Sequence, residues 1–255
     1  MRVEKIKETK EKVSFIVKGI NFSFANAIRR SVSEIPVLAI DTVEFSKNDS
    51  ALYDEILAHR LGLVPLKAPK LFASREECSC NGKGCLKCTA SLKLKVKGPK
   101  TVYSGDLKSK SVEPVFKEMP LVVLEKDQEL ELSAEAILGK AKEHAKFSPG
   151  LLWFNALPEV TIRGCDGCAK CLEVCPRKGI TMKDRSIIID PFKCDMCGAC
   201  TDLCKELKDA ITIRPSQEDF VFYVESFGQM TAKEIFLAAL EVLNDNLKQL
   251  EKVIK

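Results

Sequence analysis

The chain lacks most of what marks a membrane, secreted or nucleotide-dependent protein. No run approaches the roughly 18 consecutive apolar residues of a membrane-crossing helix, so no span is expected. The start, Met1-Arg2-Val3-Glu4-Lys5, has no apolar stretch and no small-residue cleavage site; export is not expected, and the cytoplasm is the expected compartment. GxGxxG, P-loop, GxSxG and HExxH motifs are all missing. No catalytic residue is therefore expected. Only 2 histidines occur, and His59 and His144 lie too far apart in sequence to suggest a local ligand pair. Neither sign of charge dominates, with 40 basic and 36 acidic residues giving a formal +4, so direct nucleic-acid binding is not indicated. Lys93 to Lys100 reads as a solvated strand face and turn without the aromatic platform that single strands need.

What is present in excess is cysteine, 12 among 255 residues. In a reducing compartment disulfides are disfavoured, so clustered cysteines point to metal. Eight form two runs, Cys165-x2-Cys168-x2-Cys171-x3-Cys175 and Cys194-x2-Cys197-x2-Cys200-x3-Cys204, the second repeating the first at a constant 29-residue offset. Ile180-Thr181-Met182 and Ile211-Thr212-Ile213 extend the echo. Soft thiolates at this spacing suit iron–sulfur ligation better than zinc, the alternative for these eight. Pro176 follows the first run, whereas Lys205 follows the second. The pattern is similar to that of two-cluster ferredoxins, in which the fourth cysteine of each run reaches the other cluster. That resemblance implies one 4Fe–4S cluster on Cys165, Cys168, Cys171 and Cys204, and another on Cys194, Cys197, Cys200 and Cys175.

The remaining four are Cys78-x-Cys80-x4-Cys85-x2-Cys88, with Asn81, Gly82 and Gly84 allowing tight turns between them. Four thiolates within 11 residues can close a tetrahedral zinc site. An empty or partly oxidised loop and an iron site are the alternatives.

Periodicity sketches the rest. Val13, Phe15 and Val17 alternate as in a strand, and Ser23 can cap a helix carrying Phe24, Ile28, Val32 and Ile35 that stops at Pro36. Val37 to Phe45 is strand-like. Leu92, Leu94 and Val96 alternate with lysines, which predicts one wet strand face; Leu130 and Leu132 look similar. Leu151 to Ile162 is β-prone. Phe220, Phe222 and Val224 alternate with Val221, Tyr223 and Glu225, so both faces of that strand are expected to be covered. Asp54, Glu55, His59 and Arg60 read as the polar face of a helix. Arg29 and Arg30 read as a solvated or partner-facing patch. Thr231 to Glu234 is a capping box, and Phe236, Leu240, Leu243, Leu247, Leu250 and Ile254 then step by four and three. That period is the seam of a helix lying along another helix, in this chain or a second one.

Several blocks carry a whole-chain resemblance. Asn26-Ala27-Ile28-Arg29-Arg30, Glu34-Ile35-Pro36, Asn48-Asp49-Ser50, Asp54 through Leu66 (with His59-Arg60-Leu61-Gly62-Leu63-Val64-Pro65) and His144 through Pro149 resemble the D-type subunits of archaeal DNA-directed RNA polymerase. That family is homologous to the bacterial alpha subunit's N-terminal domain and to the third-largest subunit of eukaryotic polymerase II. The resemblance implies an α+β fold in three parts. A discontinuous alpha-subunit-like dimerisation domain spans 1–46 plus 216–255. An inserted mostly-β domain spans 47–162 and holds the Cys78–Cys88 loop, which looks like the eukaryotic relative's zinc loop with one residue more between its second and third cysteines. A ferredoxin-like domain spans 163–214.

By the same resemblance, the function is that of a non-catalytic assembly platform. It pairs with the small subunit L through Phe24, Ile28, Arg29, Arg30, Val32, Phe236, Leu240, Leu243, Leu247 and Leu250. It docks the large subunits and meets nucleic acid only through the complex. The clusters would be structural, with redox regulation as a further role. The reading from a different class is a ferredoxin-type electron-transfer subunit of an anaerobic oxidoreductase. It rests on residues 163–214 alone and leaves most of the chain without a role.

Overall fold

The computed structural model describes residues 1–68, 72–207 and 210–254, and it is mostly sheet. Strands β1 (Arg2–Glu8) and β2 (Lys12–Lys18) lead to helix α1 (Phe22–Ser31), then β3 (Pro36–Asn48) and α2 (Asp54–Gly62). Next come β4 (Leu66–Lys67), β5 (Thr89–Lys97), β6 (Lys100–Tyr103), β7 (Glu113–Pro114), β8 (Pro120–Leu124), β9 (Glu129–Lys140) and β10 (Gly150–Ile162). The repeats contribute α3 (Lys170–Val174), β11 (Ile180–Lys183), β12 (Ser186–Ile189) and α4 (Ala199–Leu207). The long β13 (Ile211–Ser226) and α5 (Ala232–Ile254) finish the chain. Two compact units result: Met1–Lys7, Ser14–Asn26 and Trp153–Tyr223 form one, and Glu8–Val13, Ala27–Leu152 and Val224–Lys255 the other. No described helix is long and apolar enough to cross a membrane.

The first unit is held by aromatics on a four-stranded sheet ordered β1-β2-β13-β10. Phe15 stacks on Phe222 with ring centroids 5.7 Å apart, and Phe154 meets Phe220 edge-on at 5.5 Å. Phe22 adds edges to both Phe154 and Phe220. Phe220, Val221 and Phe222 are all buried, so this part of β13 is covered on both faces as its composition predicts. At the far end Arg163 N–H donates to Ala210 O at 2.9 Å, which leaves the two arms of the cysteine region side by side. Between them β11 and β12 form an antiparallel hairpin, Ile180 opposite Ile189. The buried core there is small: Cys171, Ile180, Ile187, Cys200 and Ile211.

The second unit is built on the antiparallel sheet β3-β9-β5. One face carries Leu92, Leu94, Leu130 and Leu132 into a core shared with Leu38, Ile40, Leu57 and Leu61. The opposite face carries Lys95–Glu131 at 2.6 Å and Lys47–Glu129 at 3.2 Å, the wet side that the lysine alternation predicts. Helix α2 supplies Leu57 and Leu61 one turn apart, while Asp54, Glu55, His59 and Arg60 stay exposed. Packing is close at Gly139, where an added Cβ would lie 2.6 Å from the buried ring of Phe147. Gly139→Ala is therefore expected to cost about 1–3 kcal/mol through overpacking, read as a lower denaturation midpoint for this unit.

Two sequence expectations need correction. The N-cap of α1 is Asn21, whose Oδ1 accepts Phe24 N–H at 2.8 Å, rather than Ser23. The helix also ends at Ser31, and Val32–Glu34 continues as a 3-10 turn before Pro36. Ile28, Val32 and Ile35 are buried, but Phe24 is 40% exposed, because the inward face runs through Ala25. Strand β1 has no counterpart in the sequence reading; all seven of its residues are exposed, so no apolar alternation marks it.

Candidate metal centres and partner surface

Left-handed backbone brings the four-cysteine loop together. Asn81, Gly82 and Gly84 have φ of 50°, 77° and 86°, conformations that glycine, and next asparagine, adopt at least cost. The chain doubles back on itself, with Asn81 N–H donating to Cys78 O and Thr89 N–H to Cys85 O. Cys78 Sγ and Cys85 Sγ are 3.6 Å apart, as are those of Cys80 and Cys88, and all four sulfurs lie within 4.8 Å of one another. A tetrahedral zinc with Zn–S of about 2.3 Å has sulfurs about 3.8 Å apart, so the donors fit that ion. These separations are far from a disulfide's roughly 2.05 Å.

The thiols are also electrically unequal. The backbone N–H of Cys85 pulls Cys88 down to about 6 against its burial, helped by bonds from Thr89, Cys80 and Cys78. At Cys78 a backbone bond from Cys80 acts the same way, but burial and the neighbouring sulfurs outweigh it and push the thiol up to about 11. Cys88 forms its thiolate readily while Cys78 resists.

The eight-cysteine repeat recurs in backbone conformation as well as in sequence. Gly167 and Ala169 are left-handed in the first run, and so are Met196 and Gly198 at the same offsets in the second. Asp166 Oδ1 accepts Cys168 N–H, and Asp195 Oδ1 accepts Cys197 N–H, both at 3.3 Å. Such turns expose several sulfurs to one point. A left-handed methionine costs on the order of 1–3 kcal/mol, a strain that persists only where the surroundings enforce it.

Two cavities follow. Cys165, Cys168, Cys171 and Cys204 line one of them, with Ile187 and Ile211. Cys175, Cys194, Cys197 and Cys200 line the other. Burial, and after it the charge of Cys165, Cys168 and Cys204, push the Cys171 thiol up. Burial followed by Cys194, with Cys175 and Cys197 beyond, does the same at Cys200. Four sulfurs gathered around one cavity are a donor set suited to a cationic cluster. Backbone N–H groups of Gly179 and Ala210 already donate to Cys175 Sγ and Cys204 Sγ at 3.4 and 3.3 Å.

The surface residues divide. On α5, Ala232, Ile235 and Ala239 are buried in their own unit, and Thr231 and Glu234 close the capping box with N–H bonds of 2.7 and 3.3 Å. The leucine seam lies off that face. Phe236, Leu240 and Leu243 are half-buried, Leu247 and Leu250 are each 56% exposed, and Ile254 is 77% exposed. Arg29 and Arg30 are exposed as expected.

The remaining blocks work as structural clamps. Asn48 Nδ2 donates to Leu52 O and Asp54 Oδ1 while its Oδ1 accepts from Ser50, which turns the chain into α2. Arg60 ties α2 to Pro120 O at 2.7 Å, and Lys146 pairs with Asp41 at 2.7 Å. His144 Nδ1 accepts Lys146 N–H at 3.1 Å. Sequence reasoning passed over Arg75, which lies against the four-cysteine loop; a single arginine outside any motif carries no spacing signal.

Comparison with known proteins assigns the parts. The family model of the RNA polymerase Rpb3/RpoA insert domain matches residues 38–153, and that of the 4Fe-4S dicluster domain matches residues 152–211. Together they define an RNA polymerase subunit of the Rpb3/RpoA kind that carries an iron–sulfur module. The DNA-directed RNA polymerase subunit Rpo3 of Methanothermobacter thermautotrophicus is 40% identical over 251 residues, which is 95% of this chain and 94% of the relative. The Rpo3 of Archaeoglobus fulgidus is 36% identical, with 99% and 97% covered. The Rpo3 of Pyrococcus horikoshii is 35% identical, with 95% and 93% covered. The chain belongs to the Rpo3 family of DNA-directed RNA polymerase subunits, with no catalytic role of its own, and the electron-transfer reading is not favoured.

Proposed function

We propose that the chain is the assembly platform of an archaeal DNA-dependent RNA polymerase, pairing with a small L-type subunit and presenting the docking surface for the large ones. The observation that carries this is similarity to Rpo3 over 95% or more of the chain, beyond any single motif. The pairing surface we assign to the exposed side of α1 and the seam of α5, with Phe24, Arg29, Arg30, Phe236, Leu240, Leu243, Leu247 and Leu250; Ile28 and Val32 are buried within the chain itself and stand behind that surface rather than in it. Exposed leucines at a 3.5-residue period favour a helical companion. We assign the segments 1–46 with 216–255 to dimerisation, 47–162 to the insert and 163–214 to the ferredoxin-like part.

Two 4Fe–4S clusters belong to this reading, one held by Cys165, Cys168, Cys171 and Cys204, the other by Cys194, Cys197, Cys200 and Cys175. Zinc belongs at Cys78, Cys80, Cys85 and Cys88. When bound, the clusters cross-link the repeats and can hold or release an electron. The surrounding residues keep the sulfurs apart and supply N–H donors to them. That gives the clusters a structural role, and a redox-regulatory one where oxidation loosens the module. Anaerobic purification of the tagged chain from its host, with mass spectrometry of what co-elutes, tests the platform reading. Large polymerase subunits and a small L-like chain are expected; flavoproteins or dehydrogenase subunits would sink it.

A further inference from the structure

We propose that Arg75 is a positioning residue of the four-cysteine metal site, one that braces the loop and balances its charge; this rests on the four-thiolate zinc reading above. Arg75 Nη2 donates to Glu135 Oε2 on β9 at 2.9 Å and reaches Thr89 Oγ1 at 3.5 Å. The Thr89 hydroxyl in turn lies 3.7 Å from Cys88 Sγ. The guanidinium also lies directly over the backbone between the second and third ligands. A Cβ on Gly84 would come within 3.3 Å of Arg75 Nη2 and 3.4 Å of Thr89 Oγ1. One side chain thus touches the strand behind the loop, the residue after the last ligand, and the turn before Cys85.

Charge makes this more than a tether. Zinc with four thiolates leaves about two net negative charges on the site. Among described residues 72–89 the cations are Arg75, Lys83 and Lys87, and both lysines are exposed and solvated. Only the Arg75 side chain is withdrawn, at 32% exposure, while its partner Glu135 is 52% exposed and shares its charge with water. Its Nε is moreover buried with no hydrogen-bond partner among the described residues. A buried donor left unpaired is unfavourable. An anionic site alongside is what makes a half-buried guanidinium favourable there. Residues behind the ligands that orient and charge-balance them typically alter metal affinity about 10–100-fold when changed.

The test uses the full-length chain with its clusters loaded, prepared without oxygen. Zinc retention is measured against a chromophoric chelator, with Cys80→Ser as the blank that attributes the ion to this loop. Arg75→Gln is expected to weaken retention about 10–100-fold. Arg75→Lys keeps the charge and should recover most of it. Glu135→Gln removes the competing carboxylate and should hold zinc as tightly as the unmodified chain, or more so. Unchanged retention in Arg75→Gln overturns the proposal. Equal weakening in Arg75→Gln and Glu135→Gln also overturns it, because the pair would then be a tether alone. An unmodified chain with no more zinc than Cys80→Ser overturns the zinc reading itself, and this proposal with it.

Discussion

Cys200→Ser is expected to remove at least one of the two proposed clusters, halving the iron content or lowering it further, and to open residues 164–207 to protease at least about tenfold faster. Cys200 is one of five buried residues in the hydrophobic cluster described for that module, and another of the five, Cys171, is a proposed ligand too. The purely aliphatic remainder is Ile180, Ile187 and Ile211. Modules of about 40–60 residues rarely fold on so little apolar material unless metal or disulfides hold them. Under the proposed ligand sets, cluster binding is folding energy here. The loss should stay local, because the core around Leu57, Leu92 and Leu130 contains none of these residues. Iron analysis, limited proteolysis with fragment mapping and the main thermal transition measure all three claims. Lower iron with unchanged proteolysis would mean that the module folds without its clusters.

The second large effect concerns the seam of α5. A Leu247→Asp/Leu250→Asp double variant should keep the fold and lose the proposed small-subunit partner, weakening pairing on the order of 100-fold or more. Both side chains are 56% exposed, so the isolated chain loses little apolar burial, and exposed substitutions usually stay within about 0.5 kcal/mol each. In a helical interface the same positions are central knobs, and two carboxylates there would be desolvated without partners. Ile235→Asp is the contrasting control. Ile235 is fully buried in its own unit, so a charge there should unfold the chain rather than merely release a partner. Size-exclusion chromatography of co-expressed chains, beside a melting curve of each chain alone, separates the outcomes. Pairing that survives the double change would move the interface off this helix.

Much of this was legible in the residues, and the illegible parts have physical reasons. Alternation located β5, because one face meets water and lysine is cheap there. Doubled cysteine spacing located the repeat, and the left-handed positions at Gly167 and Met196 follow its offset. The partition of sulfurs between two cavities is not contained in spacing, since Cys204 lines the first with residues more than thirty positions away. Only likeness to ferredoxins suggested it. On α5 the leucines drew attention away from the inward face, which is made of Ala232, Ile235 and Ala239. Small residues allow close helix approach but scarcely register in a hydrophobic pattern. The cap fell on Asn21 rather than Ser23 because either residue type can cap a helix, and geometry chooses between neighbours.

The hydrogen bond between Arg163 and Ala210 has a bearing on how such a chain can change over time. The two strand arms that carry the cysteine module end one ladder rung apart, so the module is spliced in at what is otherwise the tip of a hairpin. Everything between the arms could be exchanged for a two-residue turn such as Asn-Gly without moving β10 or β13. Gain, decay or deletion of the proposed metal centres therefore need not disturb the aromatic cluster of Phe15, Phe154, Phe220 and Phe222 that holds the sheet. The junction is a socket, from which the proposed cluster module could be removed while the scaffold stays the same.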